Sequence, residues 1–380
     1  MKILLITERF GDQIPTGVIS RMMADELHLL GNEIAVVSTE HIGKQWKHGP
    51  HIICNSKTLI PKKILLWISN TLGVNLITNK WRRKAFRESK KLIKSFAPDI
   101  IYARSTPIMV CEVAACLKIV TGVPVMMHFT DPVPAPIEWD PNVGYRKRMI
   151  KTMNRILQFA DSISFGNLAM LKYQQSMVDY SFQNKSFIVP DPVRSEDLYN
   201  EEREKQSVFT IVYLGALYGN RNPRPLFEAI ANINNKGQRC ELVVYDINRT
   251  RIKAPDYVRF VGRTDDVRKA LLNSDLLLNL DGDDQVPVFI SSKLKEYLCC
   301  CRPILSITPE GSPSRELTEG LSTVFSVANT CVSIEKQLLE IISQTLPAEM
   351  FKERMPVIQS FTPQRVASII NERMLLLQKS

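Results

Sequence analysis

The segment Val286–Leu305, VPVFISSKLKEYLCCCRPIL, gathers the residue types that a phosphate site needs. It reads as loop, helix, tight turn and strand. Ser291 or Ser292 can cap the helix, leaving free N–H groups and a positive dipole end for an anion. Lys293 adds a full charge there, and Glu296, one turn on, can accept hydrogen bonds from ribose hydroxyls. Alone, the same residues also describe a capped surface helix. A second segment, Tyr213–Pro225, YLGALYGNRNPRP, follows an apolar run. Gly215 and Gly219 permit close backbone approach, and Arg221 and Arg224 can pair phosphate oxygens. The alternative is a solvated basic loop, but its place at the carboxyl end of a strand favours a ligand site.

His128 is the only histidine beyond residue 51, and it lies near the end of the run Pro124–Phe129, ahead of Thr130-Asp131-Pro132. On residue type alone this reads as a capped strand end with a structural histidine. Arg104 and Ser105 end another strand. In Asp281-Gly282-Asp283-Asp284, two close carboxylates can hold Mg²⁺ or Mn²⁺ against a diphosphate. The nearby cations already offset phosphate charge, so a solvated acidic loop and a metal-free site are expected.

These residues sit on alternating strands and helices. Apolar runs at Lys2–Thr7, Ile34–Thr39, Ile100–Ser105, Pro124–Phe129, Ser162–Gly166 and Phe187–Pro190 read as buried strands. The series resumes at Thr210–Gly215 and continues through Glu241–Asp246, Val258–Gly262, Asp275–Asp281, Pro303–Thr308 and Thr323–Val327. Strands alternating with helical patterns predict right-handed βαβ units and parallel sheets. The pattern breaks at 190–208, where DPVRSEDLYNEEREKQS has no apolar period. The expected organisation is therefore a first Rossmann-like domain over 1–189, a linker over 190–208, a second over 209–358 and a final helix over 359–380. Two such domains face a cleft, a preferred ligand site. After the first strand, ERFGDQIPTG lacks the GxGxxG of dinucleotide oxidoreductases.

The Gly-Arg turn and the Ser-Ser-Lys helix together resemble the GT-B glycosyltransferases, in particular the family 4-like group that builds bacterial surface polysaccharides. Members carry a helix of the type P-S-K-x-x-E-Y-L-x-x-G-x-P-I-L. The counterpart here is Ser291-Ser292-Lys293-Leu294-Lys295-Glu296-Tyr297-Leu298 followed by Arg302-Pro303-Ile304-Leu305. The resemblance implies a nucleotide-sugar donor held by Gly215, Arg221, Ser292, Lys293 and Glu296. It implies that Gly17 lets the first loop approach the diphosphate, and that His128 touches the sugar or phosphate, with Asp131 beside the acceptor. It also implies that the final helix packs back on the first domain. Larger-family members place a second glutamate eight positions before Glu296, where this chain has Val288; a glycine of the motif is Cys301. Two other readings keep the fold: a nucleotide-sugar epimerase, or a non-catalytic sugar-nucleotide-binding subunit.

Composition adds a membrane argument. The chain has 380 residues and a net charge of +10, and residues 41–100 hold 13 Lys or Arg against Glu88 and Asp99 alone. The basic character thus belongs to one surface. Within it, Ile64–Asn79 is uncharged but interrupted by Ser69, Asn70, Thr71, Asn75 and Thr78, too short and polar to span a bilayer. Residues 57–96 are expected to meet an anionic membrane surface, with Trp67 or Trp81 as an interfacial anchor; a solvated basic face is the alternative. No nucleic-acid-binding motif accompanies the patch. The eight cysteines form no CxxC pair and three are consecutive, Cys299 to Cys301, which suits reduced, mostly buried thiols. The start MKILLIT has no secretory h-region, so a cytoplasmic, peripheral enzyme with a lipid-linked saccharide acceptor is expected.

Overall fold

The computed structural model describes residues 1–12, 15–42, 46–54, 76–105, 107–193, 198–200, 207–217, 219–246, 253–262, 264 and 266–378. Much of the expected linker and the whole of 55–75, Trp67 included, lie outside the described residues.

The opening strand, β1 (Lys2–Thr7), is buried from Ile3 to Thr7, as a strand covered on both faces must be. β2 (Arg9–Gly11) and β4 (Glu40–Ile42) pair in a short ribbon. The main sheet adds β3 (Glu33–Ser38), β5 (His51–Ile53), β6 (Ile100–Ser105), β7 (Val125–Phe129), β8 (Ser162–Phe165) and β9 (Ser186–Ile188). Its order is β5-β3-β1-β6-β7-β8-β9 and every pairing is parallel, with Ile3 between Ile34 and Ile100. The helix Pro15–Leu29 ends before Gly31, whose φ of +84° is a left-handed conformation that suits a helix stop.

A second sheet holds β10 (Phe209–Leu214), β11 (Cys240–Tyr245), β12 (Val258–Val261), β13 (Leu276–Leu280), β14 (Ile304–Ile307) and β15 (Val324–Val327). Its order is β12-β11-β10-β13-β14-β15, again all parallel. Strand order therefore reverses between β10 and β13. Doubly wound sheets bind ligands in the crevice at the carboxyl ends of the strands at such a reversal.

The chain forms two units. The first comprises Met1–Ala135, Asn142–Pro192 and Pro363–Ser380; the second comprises Pro136–Pro141 and Val193–Thr362. The final helix, Pro363–Gln378, gives Val366, Ala367, Ile370 and Met374 to the core that contains Ile3, Leu5 and Leu27. Asn32 Nδ2 donates to Asn371 Oδ1 at 3.0 Å in the same unit. A core of Ile211, Leu242, Leu278 and Leu305 fills one side of the second sheet. Sequence reasoning did not anticipate that Pro136–Pro141 belongs to the second unit. All eight cysteines are free thiols, and six are buried.

Candidate functional site

The crevice of the second unit brings together most of the residues that the sequence singles out there. Gly215 follows β10 with φ +138°, a conformation that only glycine adopts readily. A Cβ at that position would lie 2.1 Å from Lys293 Cε and 2.7 Å from Nζ, so the lysine stem occupies the space that the missing side chain leaves. Lys293 Nζ stands 6.0 Å from the centre of the Tyr213 ring. Burial pushes the Lys293 ammonium down to about 8; the like charge of Arg221 pushes the same way, and Glu296 and Asp281 oppose it. Two cations whose charges act on one another are poised for a multiply charged anion.

Asp281, which follows β13, is not the solvated residue expected. Burial raises its carboxyl above the ordinary range, against hydrogen bonding that includes Thr308 Oγ1 at 2.8 Å and against the charge of Arg221. Asp284 is buried and accepts from Trp139 Nε1 at 2.8 Å and from Asn220 Nδ2 at 2.9 Å. Asp283 is the exposed member of the trio. No group of three or more potential metal ligands occurs among the described residues.

The helix bearing Lys293 and Glu296 runs Ser292–Leu298. Ser291 takes the cap position, but its side chain makes no capping hydrogen bond, and Ser292 is the exposed first helical residue. With seven residues the helix carries a short dipole, so the positive field of the crevice comes from Arg221 and Lys293 rather than from the helix end. Arg224 is exposed at the start of the helix Arg224–Asn235. Val288, where larger-family members place a glutamate, is 1% exposed; a carboxylate there would point into the protein.

Two side chains missed from sequence fix the Lys293 helix. Tyr297 is fully buried, and its hydroxyl accepts from Leu214 N at 2.8 Å, tying the helix to the end of β10. Arg354 is 0% exposed and donates to the carbonyls of Cys300 at 2.8 Å, Thr323 at 2.9 Å, Arg302 at 3.0 Å and Tyr297 at 3.4 Å. It thereby satisfies carbonyls at the C-terminal end of the helix, where a cation suits the dipole.

In the first unit, His128 is 1% exposed and shares a 3.0 Å hydrogen bond through Nδ1 with Ser164 Oγ. Burial, reinforced by the charge of Arg104, pushes its imidazolium down to about 3. The ring is therefore neutral near pH 7; it can orient a hydroxyl but does not serve as an imidazolium acid. Asp131 is exposed and accepts from Thr130 Oγ1 at 3.3 Å. Arg104 is buried against Asp191, 2.5 Å away, which makes it a structural ion pair rather than a ligand group. Gly17 lies in the first turn of the helix Pro15–Leu29, not in a loop as expected. A Cβ there would meet Gly11 N at 3.4 Å, an ordinary contact, so the position calls for a small residue but not for glycine.

Three solved structures follow this chain over nearly its whole length. Anabaena Alr3699/HepE in complex with UDP and glucose has a TM-score of 0.68 at 14% identity, covering 99% of each chain. The chain has the GT-B fold. The apo lipopolysaccharide outer core galactosyltransferase WaaB gives 0.66 at 15% identity, covering 99% of this chain and 100% of its own. A putative UDP-N-acetylglucosamine 2-epimerase from Listeria monocytogenes gives 0.58 at 11% identity, covering 100% and 97%. No protein-family profile matches the chain, and no curated protein does. In this GT-B chain, Gly215, Arg221, Lys293 and Glu296 belong to the second Rossmann-like unit, and Gly17, His128 and Asp131 to the first.

Proposed function

We propose that this GT-B protein is a glycosyltransferase that moves a hexosyl or related sugar from a nucleotide-sugar donor to a saccharide acceptor. The observation that carries the reading is the pair of cations, Arg221 and Lys293, at the strand-order reversal of the second sheet, with the lysine stem packed over Gly215. Cleavage of the sugar–phosphate bond leaves charge on the departing diphosphate. Arg221 and Lys293 stabilise that charge as it develops, and no metal ion is required. The UDP bound by Alr3699/HepE, on the same fold, supports a nucleotide diphosphate as the ligand class. Neutral His128 orients a hydroxyl, and exposed Asp131 is the candidate base for the acceptor. A putative epimerase shares the fold, which favours one second reading; conversion of a nucleotide sugar to its epimer without acceptor would establish it.

Glu296 is assigned to the ribose. Replacing it by Ala is expected to weaken UDP binding by about 1.5–3 kcal/mol, the range for a hydrogen bond to a charged group. Calorimetry on the folded variant measures this; unchanged affinity removes Glu296 from the site.

The acceptor is proposed to be lipid-linked and the product a surface polysaccharide, with the protein peripheral at the cytoplasmic membrane face. The galactosyltransferase WaaB, a fold relative of lipopolysaccharide synthesis, supports this reading. So does the helix Leu76–Phe96, which exposes Arg83, Arg87, Lys90 and Lys94 at helical spacing along one stripe. Arg87 pairs with Glu88 at 2.9 Å, and Arg82 with Glu112 at 2.9 Å. Trp81 is 1% exposed and packs inward, so it is not the interfacial anchor expected from sequence. No described helix is long and apolar enough to cross a membrane. Each surface cation contributes about 1 kcal/mol near anionic lipid. Changing Arg83, Lys90 and Lys94 to Ser is expected to abolish co-sedimentation with phosphatidylserine vesicles at low salt and to leave UDP affinity unchanged. Equal sedimentation of the variant and wild type contradicts the assignment.

A further inference from the structure

We infer that Trp139 is a positioning residue for the nucleotide-sugar site, holding the loops after β10 and β13 at a fixed separation; this rests on the donor reading above. Three segments of the second unit meet at one buried carboxylate. Asp284, on the loop after β13, takes the Trp139 indole N–H on one oxygen and Asn220, on the loop after β10, on the other, at 2.8 and 2.9 Å. Each loop also presents a glycine to the same ring. At Gly219, φ +63°, a Cβ would lie 2.8 Å from Trp139 Cζ3; at Gly282 it would lie 3.2 Å from Cζ2. The indole thus occupies space that both loops leave open, and any larger residue at Gly219 would force it out.

The six-residue strap that carries Trp139 is itself held. Trp139 N and Asp140 N both donate to Pro136 O at 2.9 Å, closing a turn. Glu138 Oε1 accepts from Gln285 N at 3.3 Å, and the Phe289 ring stands 5.6 Å from the indole, nearly edge-on at 73°. The residues on either side of the strap belong to the first unit and are fastened there. Buried Gln174 brackets Val133, accepting from its N at 2.6 Å and donating to its O at 2.8 Å; Arg146 donates to Ala135 O; and the Asn142 side chain accepts from Tyr145 N at 2.8 Å. Arg221 lies two residues beyond Gly219, and Asp281 one before Gly282, so a shift of either loop moves the charges that face the diphosphate.

The test measures UDP affinity by calorimetry on the full chain, with melting temperature recorded beside it. Trp139→Phe keeps a ring between the glycines and removes the N–H; Trp139→Ala removes both; Gly219→Ala displaces the ring. The expected rise in Kd is about threefold for Trp139→Phe and about tenfold or more for the other two, since misplaced charges lose affinity steeply. Trp139→Phe should add nothing further in an Asp284→Ala background, because the acceptor of the indole N–H is already gone. If wild type binds UDP and the folded variants bind it equally, the assignment of Trp139 is overturned while the donor reading stands. If wild type binds UDP but the variants only melt earlier, with unchanged Kd for the folded form, Trp139 is a stabilising residue and the inference is overturned. If wild type binds no UDP, the donor reading fails and the inference with it.

Discussion

Replacing Lys293 by Met is expected to lower the transfer rate by about 10²–10³-fold, the usual cost of removing one preorganised electrostatic group from a site where charge develops. Met keeps the apolar stem over Gly215, so the fold and the glycine turn should survive. A pH signature separates loss of charge from loss of shape. The free protein holds the Lys293 ammonium at about 8, because burial and Arg221 disfavour the charge. A bound diphosphate favours that charge and raises the pKa. Below about pH 7 the lysine is protonated with and without ligand, and affinity does not depend on it. Above pH 8 the free lysine loses its proton, and binding must restore it. UDP affinity should therefore fall as pH rises from 8 towards the bound-state pKa, by at most tenfold per unit, with proton uptake on binding. Calorimetry in buffers of different ionisation enthalpy reads that uptake directly. The Met variant should show neither the slope nor the uptake; a slope retained in the variant would assign the titration to another group.

The largest stability effect is expected at Arg354. It is fully buried and satisfies four carbonyls together with the Thr323 hydroxyl, 2.9 Å from Nε. Arg354→Met leaves those acceptors without their donor in a dry interior, at about 1–3 kcal/mol for each that finds no water. Deleting the guanidinium also relieves its own burial, which already depresses its pKa to about 10. The net loss should be about 4 kcal/mol, a fall of roughly 10 °C in the melting of the second unit. Arg354→Lys should be nearly as damaging, because three ammonium donors on a flexible stem cannot reproduce the planar fork. Differential scanning calorimetry of the two variants checks this. A melting temperature within 2 °C of wild type would contradict the role given to the arginine.

Sequence and structure agree where the physics is local. Buried parallel strands announce themselves as apolar runs, so β1, β6, β10 and β13 fall within a residue of their expected bounds. Residue type and strand order made Gly215 and Lys293 legible as residues of interest, but not that the lysine stem fills the space over the glycine. The short strands β2, β4 and β5 were not, since three residues show no periodicity. Long-range polar contacts were also silent. Nothing in DPVPAPIEWDP says that Trp139 donates to a carboxylate 145 residues away, and nothing near Arg354 says that it closes the end of a helix more than 50 residues earlier. The acidic loop Asp281–Asp284 reads as solvated in sequence because composition cannot reveal the burial of Asp281 and Asp284.

The most direct test of the central proposal is release of nucleoside diphosphate from a panel of nucleotide sugars by the full chain. The assay would be run with bacterial membranes as the acceptor source, and with and without EDTA. The account predicts that one donor is turned over, that release depends on added membranes, that it persists in EDTA, and that Lys293→Met reduces it at least about 100-fold. A wild-type chain that releases diphosphate from no donor and binds none of them, with or without Mn²⁺, would contradict the account; loss of turnover in EDTA that Mn²⁺ restores would contradict its metal-free mechanism.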